Sequence, residues 1–554
     1  MNVRMPIGVD DFKEMRENYY FIDKTDFIRQ LIDDHSKVTL ITRPRRFGKT
    51  LTMSMLEYFF SIDKKEESKD LFHGLAIEKA GLSYMKHRGI YPVIFISLKD
   101  GQSPSWEQML NFFSLFLRRL YLQHAYLIKA DRLDACMKED YYRIVNRQAD
   151  QTEMAFALTR LMEIMQAYYG QPVILLLDEY DAPIQYAWDH GYYEQCIGFM
   201  RQFLSSALKT NRALDFAVLT GVLRVAKESI FSGLNNLSVC SVLSRKYSNI
   251  LGFTPEETAA MAKDLGVEKK LPELRQWYDG YRFGTDDIYN PWSVINYMDN
   301  ECTPMPYWVH TSGNYILKQL LSHADCLRIK ELQGLLDGKT VTVSLNETVM
   351  YDQIEKDASA LYTLLLTTGY LTIESASPTT YNRYSLRIPN EEIKQVYSQE
   401  ILNTIAVGAD RNTFDTLFDA LFSGQEKDFE GRLQQILLRF ASTYDTANKE
   451  SFYHGFMLGI SALFLDKQYI VESNRESGYG RFDIAIFPKD TQKAGVILGF
   501  KAADRTESLE EKAGEALRQI QDKQYEAEFA KRDIASLWKY GVAFCGKQVY
   551  VKMI

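Results

Sequence analysis

Two rhythms of apolar residues run along this chain. Short, almost unbroken runs occur at Val38-Thr39-Leu40-Ile41, Pro92-Val93-Ile94-Phe95-Ile96-Ser97-Leu98, Val173-Ile174-Leu175-Leu176-Leu177 and Leu214-Asp215-Phe216-Ala217-Val218-Leu219-Thr220-Gly221-Val222. Such runs suit strands covered on both faces. Between them, residues 106–121 and 153–169 repeat apolar positions every three or four residues, the spacing of amphipathic helices. Strands near 38, 93, 174 and 216 alternating with long helices predict an α/β fold with a doubly covered parallel sheet, ending near residue 240.

Beyond that point the pattern changes. A helix at 358–368, a turn at Gly369 and strands at 370–373 and 384–388 suggest a winged-helix unit, serving either as a lid or as a DNA-contacting element. Helices at 414–422 and 429–440 lead into a last region with two strands, the first in the stretch Glu472 to Phe487 carrying Asp483 and the second running from Gly495 to Lys501. The expected division is 1–240, 241–400 and 401–554.

Composition adds few constraints. The chain has 554 residues, enough for several domains, with 46% hydrophobic and 25% charged residues, as in ordinary globular proteins. A net charge of −8 argues against a surface coated for nonspecific nucleic-acid binding, although a local basic groove could be hidden in that total. The six cysteines are scattered, with no CxxC pair, which argues against a zinc site or a disulfide framework. No apolar stretch approaches the ~20 residues of a membrane span, and the first residues carry no apolar signal core. The expectation is a cytoplasmic protein without a membrane partner.

The chemistry begins where the first strand ends. Arg43-Pro44-Arg45-Arg46-Phe47-Gly48-Lys49-Thr50-Leu51 links a strand to an apolar helix, and its last members match the phosphate-binding pattern GxxxxGK[ST]. Gly48 permits a tight turn, Lys49 reaches the β- and γ-phosphates, and Thr50 holds Mg²⁺. The glycine expected at position 43 is replaced by Arg43. Together with Arg45 and Arg46 it would add positive charge where the helix N-terminus already favours anions. The run at 173–177 ends in Asp178 and Glu179, a Walker B pattern: Asp178 for the Mg²⁺ shell and Glu179 to orient and deprotonate water. Thr220, ending the fourth strand, could sense the γ-phosphate and Arg224 could neutralise transition-state charge, or both could simply hold a turn.

Beyond single motifs, several segments resemble the bacterial AAA-ATPase-like family: Tyr20 through Thr25, Arg43 through Thr50, Leu177-Asp178-Glu179-Tyr180-Asp181, Thr220-Gly221-Val222 and Phe231 through Leu237. In that family the arginine-rich loop without the first glycine is the usual form. The resemblance implies an ATPase using ATP and Mg²⁺, with the segment around Tyr20 near the adenine. It continues through Trp277-Tyr278-Asp279-Gly280-Tyr281-Arg282-Phe283-Gly284, Tyr289-Asn290-Pro291-Trp292-Ser293 and Trp308, for which no catalytic part is expected.

The last region resembles the PD-(D/E)XK nuclease fold, with Asp483 as metal ligand, Lys501 as charge stabiliser, and Gln519 and Tyr525 in the C-terminal motif. That fold pairs two carboxylates around a metal. Gly499 stands where the second belongs. Either Glu511, Glu515 or Glu450 substitutes for it, or cleavage is impaired and nucleic-acid binding survives; on the second reading Gly499→Glu should restore Mg²⁺-dependent cleavage. The expected function is an ATPase coupled to DNA or RNA handling, with assembly into oligomers left open. The alternative is a nucleotide-gated switch with little hydrolysis.

Overall fold

The computed structural model describes residues 4–129, 133–223, 236–308, 331, 334–336, 338–346, 358–376, 382–397, 411–440, 453, 457, 461, 469–473, 476–477, 480–481, 483–504, 506–522, 527–534, 536–546 and 548–554. The chain divides into two compact units, one of residues 1–308 and 342–392, the other of residues 309–341 and 393–554. Residues 241–308 and the helix-turn-strand segment therefore belong to the same unit as the first sheet, without a boundary near 240.

In the first unit, β1 (Val38–Thr42), β2 (Val93–Ser97), β3 (Val173–Asp178), β4 (Leu214–Gly221) and β5 (Leu237–Cys240) form one sheet in the order β2-β3-β4-β1-β5. Every neighbouring pair is parallel. All six residues of β3 are buried, as its unbroken apolar run requires. Ile41, Ile174, Leu176 and Val218 face Met53, Leu56, Phe59 and Phe60 of the helix Lys49–Phe60. Leu40, Leu175, Leu177 and Leu219 alternate with them and are equally buried on the opposite face, where helices Gln151–Tyr169 and Tyr193–Leu208 lie. The sheet is thus covered on both sides. The expected strands and helices are all present, and β5 is an addition: four residues whose partly polar side chains give no strong pattern.

The helix Gln151–Tyr169 shows how local signals set its ends. Asp150 caps the Glu153 N–H while Glu153 returns a bond to the Asp150 N–H, and Gly170 ends the helix in a left-handed conformation. Later in this unit, the helix Ala358–Thr368 leads through Gly369, at φ +92°, into antiparallel strands Thr372–Ala376 and Arg383–Arg387. This matches the helix-turn-hairpin expected there.

The second unit carries another sheet: β6 (Tyr469–Ser473), β7 (Ile484–Pro488), β8 (Gly495–Ala502), β9 (Leu537–Cys545) and β10 (Gln548–Met553), in that spatial order. β6, β7 and β8 form an antiparallel meander, and β8 then pairs parallel with β9. The crossover between β8 and β9 runs through the helix Leu509–Asp522, as a parallel pair demands. Ala485, Phe487 and Ile497 face Leu517 and Ile520 of that helix. Ile484, Ile486, Leu498 and Phe500 face the helices Arg411–Phe422 and Glu426–Phe440 on the other side. No helix among the described residues is long and apolar enough to cross a membrane.

Candidate functional site

β1 delivers the chain into the loop 43–48 at the carboxyl edge of the first sheet, where α/β sheets place their ligands. Two residues of the loop have left-handed backbone, Arg46 (φ +69°) and Gly48 (φ +85°). Glycine adopts this freely, whereas arginine there costs about 1 kcal/mol and needs support from its surroundings. Gly48 caps the helix that starts at Lys49. The Lys49 ammonium is buried and donates to the loop's own carbonyls, Arg43 O at 3.0 Å and Pro44 O at 2.8 Å. Burial lowers its pKa, and the charges of Glu179, Asp178 and Asp181 oppose that shift.

The hydroxyl and carboxylate expected to work together do meet. Thr50 Oγ1 donates to Asp178 Oδ2 at 2.7 Å, and the Thr220 hydroxyl donates to Asp178 Oδ1. β4 lies between β1 and β3, so Thr220 and Asp178 end neighbouring strands. Glu179 follows in a left-handed conformation at φ +49° and is half-buried. Hard oxygen donors from Thr50 and Asp178 beside a lysine suit a magnesium-bound polyphosphate. These residues would hold the metal and Lys49 the phosphates, and the bound metal would neutralise phosphate charge.

The three loop arginines diverge. Arg43 is fully buried and points away from the loop mouth: its guanidinium donates to Thr42 O (2.8 Å), Cys240 O (2.9 Å) and Tyr247 O (2.7 Å), and lies 5.0 Å from the Phe283 ring centroid. Burial brings its pKa down to about 10, so it stays charged. Its charge is engaged in tying β1 to β5 and to the segment at 247, a correction to the expectation of three charges facing phosphate. Arg45 is half-buried, with Nη2 3.3 Å from Gln185 Oε1. Arg46 lies over Trp292, 3.9 Å from the ring centroid.

The aromatic motifs without an expected part pack around this loop. Phe47 meets Tyr281 and Phe283 at 5.1 and 5.2 Å between ring centroids. A Cβ on Gly369 would approach Pro44 Cβ at 3.0 Å, so the turn after Ala358–Thr368 rests on the loop. In the segment near Tyr20, Lys24 Nζ bonds Glu257 Oε2 at 2.7 Å and Asn249 O at 2.8 Å. Asp23 Oδ2 accepts the Ala76 N–H, and Thr25 Oγ1 accepts the Ile77 N–H. These contacts hold neighbouring elements together.

Asp181, with no part in the sequence reading of the site, belongs to it in the structure. It is buried, and its Oδ2 accepts the N–H groups of Val222 (2.9 Å) and Leu223 (2.7 Å) at the exit of β4. Burial pushes its carboxyl up to about 6, against the pull of those amides and of Lys49. Tyr180 donates its hydroxyl to Leu223 O at 2.6 Å. Gly221 makes room for both, since a Cβ there would come within 2.6 Å of Asp181 Oδ1 and 2.7 Å of the Tyr180 ring. The signal available in the sequence was an acid two residues past Glu179. Arg224 lies outside the described residues.

In the second unit, Asp483 precedes β7 and its Oδ2 accepts the Phe500 N–H of β8 at 2.7 Å. Its parity with Ala485 and Phe487 puts it on the face of the crossover helix, the face shared by Gly499 and Lys501. Gly499 packs against that helix: a Cβ would stand 3.2 Å from Ile520 Cδ1 and 3.3 Å from Ala516 O. The stand-in acids Glu511 and Glu515 are exposed, while Ala513, Ala516 and Ile520 of the same helix face the sheet. Glu515 pairs with Lys512 at 3.2 Å. Gln519 is half-buried on this helix, and Tyr525 and Glu450 lie outside the described residues. Among the described residues no three acids, histidines or cysteines gather as a metal cluster.

Residues 6–231 match the family model for a predicted AAA-ATPase, and residues 448–553 match that for the PD-(D/E)XK nuclease superfamily. The whole chain is also similar to a protein from Azotobacter chroococcum mcd 1, described as an uncharacterized protein in the vnfD 5′ region. The two are 28% identical over 551 residues, covering 96% of this chain and 94% of the relative. An ATPase-like region followed by a nuclease-like region is the expected architecture.

Proposed function

We propose that the chain is a Mg²⁺-dependent ATPase that couples nucleotide turnover to nucleic-acid handling by a nuclease-like unit with impaired cleavage. The observation that carries the ATPase reading is the convergence of Thr50, Asp178 and Thr220 beside a buried Lys49. On this reading Lys49 leaves the carbonyls of Arg43 and Pro44 for phosphate oxygens, Thr50 and Asp178 hold the metal, and Glu179 orients and deprotonates the attacking water. Thr220 fixes the Asp178 carboxylate, and Asp181 fixes the β4 exit beside it. The nuclease-like unit retains Asp483 and Lys501, but a single carboxylate offers Mg²⁺ few of the oxygen ligands it needs to offset dehydration.

Steady-state ATP hydrolysis with Mg²⁺, with and without single- and double-stranded DNA or RNA, tests the proposal. The parent should turn over, and Glu179→Gln should bind ATP with turnover lowered by about 100-fold or more. Stimulation by nucleic acid supports the coupling. A parent that binds ATP and never turns over would make the chain a nucleotide-gated switch.

A further inference from the structure

The loop arginines go three ways. Arg43 turns back to backbone carbonyls and Arg46 lies on Trp292, whereas Arg45 donates from Nη2 to Gln185 Oε1, 3.3 Å away. Gln185 belongs to the helix Ala182–Asp189, the one that follows β3. The loop follows β1, and β4 lies between β1 and β3 in the sheet. The Arg45 side chain therefore spans the carboxyl end of β4, where Thr220 bonds Asp178.

Two bridges thus join the same pair of segments, Thr50 to Asp178 at 2.7 Å and Arg45 to Gln185. The first ends on a fully buried carboxylate and the second on a half-buried amide, so the second is the outer one. Along the chain, Lys49 falls between the two attachment points on one segment and Glu179 between those on the other. The space between the bridges is flanked by the ammonium assigned to phosphate and the carboxylate assigned to water. The helix agrees with this direction. Gln185 donates its N–H to the Asp181 carbonyl one turn earlier, at 3.0 Å, and the Asp181 carboxylate reaches the exit of β4. The Gln185 side of the helix looks back over the sheet edge.

The chemistry of the tether matters. A carboxylate in its place would orient the guanidinium and cancel its charge, whereas the neutral Gln185 amide gives it a direction and adds no opposing charge. Lys49 registers the result: burial lowers its ammonium first, and Arg45 lowers it further. Two cations set toward one space suit a polyanion.

Resting on the ATPase reading, we propose that Arg45 supplies in cis the charge that stabilises the transferring γ-phosphoryl group, and that Gln185 is the residue positioning it. In that step the oxygen of the attacking water bonds the γ-phosphorus as the bond from phosphorus to the β,γ-bridging oxygen breaks. The electron pair of the broken bond leaves with ADP, and the water's proton passes to Glu179. Negative charge develops on the bridging oxygen, and a guanidinium already held across the loop meets it without help from a second chain. Each chain then carries a complete site.

The test uses the full chain with Mg²⁺ and two readouts. In equilibrium binding, aluminium fluoride, a mimic of the transferring phosphoryl group, should tighten ADP binding by the parent about 100-fold. Arg45→Ala should bind ADP alone like the parent and lose most of that gain. An undiminished gain overturns the proposal, and so does loss of ADP binding itself, which would make Arg45 a ground-state contact. In steady-state turnover, Arg45→Ala should lower kcat by about 100-fold or more, and Gln185→Ala by about tenfold with KM unchanged. Gln185→Glu separates charge from tethering: it would strengthen a mere tether, yet its carboxylate cancels the charge of Arg45, so kcat should fall here too. Parental kcat in Gln185→Glu overturns the positioning role. Mixing Arg45→Ala with Glu179→Gln chains should restore nothing, and recovered turnover would overturn action in cis. A parent that binds no nucleotide overturns the ATPase reading as well; an active parent with an equally active Arg45→Ala overturns this proposal alone.

Discussion

Arg43 stands where a phosphate loop of the common pattern has glycine, and its side chain works on the far side of that loop. Three backbone carbonyls from three segments converge on its guanidinium. Removing it would leave those buried acceptors short of donors. Arg43→Met should destabilise the first unit by about 3 kcal/mol in urea unfolding, and Arg43→Lys should rescue little, because an ammonium cannot reproduce the planar fork. This role was illegible in the sequence: two of the three carbonyls, Cys240 and Tyr247, lie 197 and 204 residues away. Asp181 was hidden for a milder reason, since an acid just past Glu179 reads as an ordinary solvated turn. Its two amide bonds strengthen with ionisation. ATP turnover should therefore fall as pH drops through about 6, and Asp181→Asn, permanently neutral, should be slow and flat across that range in a pH–rate profile.

Whole elements were far more legible than side-chain roles. β1 through β4 announce themselves as unbroken apolar runs, and the helices at Trp106–Gln123 and Gln151–Tyr169 by their spacing. β5 gave no such signal, being short and only partly buried. The crossover helix of the second unit shows what element packing adds. Gly499 marks the missing carboxylate in the sequence, but only the structure shows Ile520 and Ala516 pressed against that position. Gly499→Glu alone should therefore restore little Mg²⁺-dependent cleavage. Pairing it with Ile520→Ala, which vacates the contact, should give the larger gain in a plasmid-nicking assay; no gain from the double variant would mean that more than one ligand is missing. At Gly541 the same helix approaches so closely that a Cβ would strike Ala513 O and Leu517 N. Gly541→Ala should lower the melting temperature of the second unit, since backbone has to move to admit the methyl group.

For the whole molecule, buried Glu392 sets a pH dependence of stability. Its folded pKa of about 7 lies above the ordinary carboxylate value, so between about 4.5 and 7 the folded state binds more protons than the unfolded state. Stability contributed by this group is thus lost as pH rises through that window and changes little beyond it. Glu392→Gln, which cannot ionise, should be close to the parent in stability at pH 4.5 and gain on it by roughly 3 kcal/mol at pH 8, as read from denaturant midpoints. The same residue explains why the aromatic motifs resisted interpretation. Ser293 and Trp308 read as packed turns, and only their hydrogen bonds to a carboxylate 99 and 84 residues later reveal a common partner.

β1 is the strand that delivers the phosphate loop, and it is flanked by β4 and β5, with Val38 opposite Ala217 on one side and Leu237 on the other. During synthesis its partners are the last strands of that sheet to be made. A nascent chain that already contains the whole loop still lacks both neighbours, and its apolar strand waits while some two hundred residues are added. ATP competence should therefore arrive abruptly, after residue 240 has cleared the ribosome. In a series of stalled chains probed with a fluorescent nucleotide, lengths that end within β4 or earlier should stay dark.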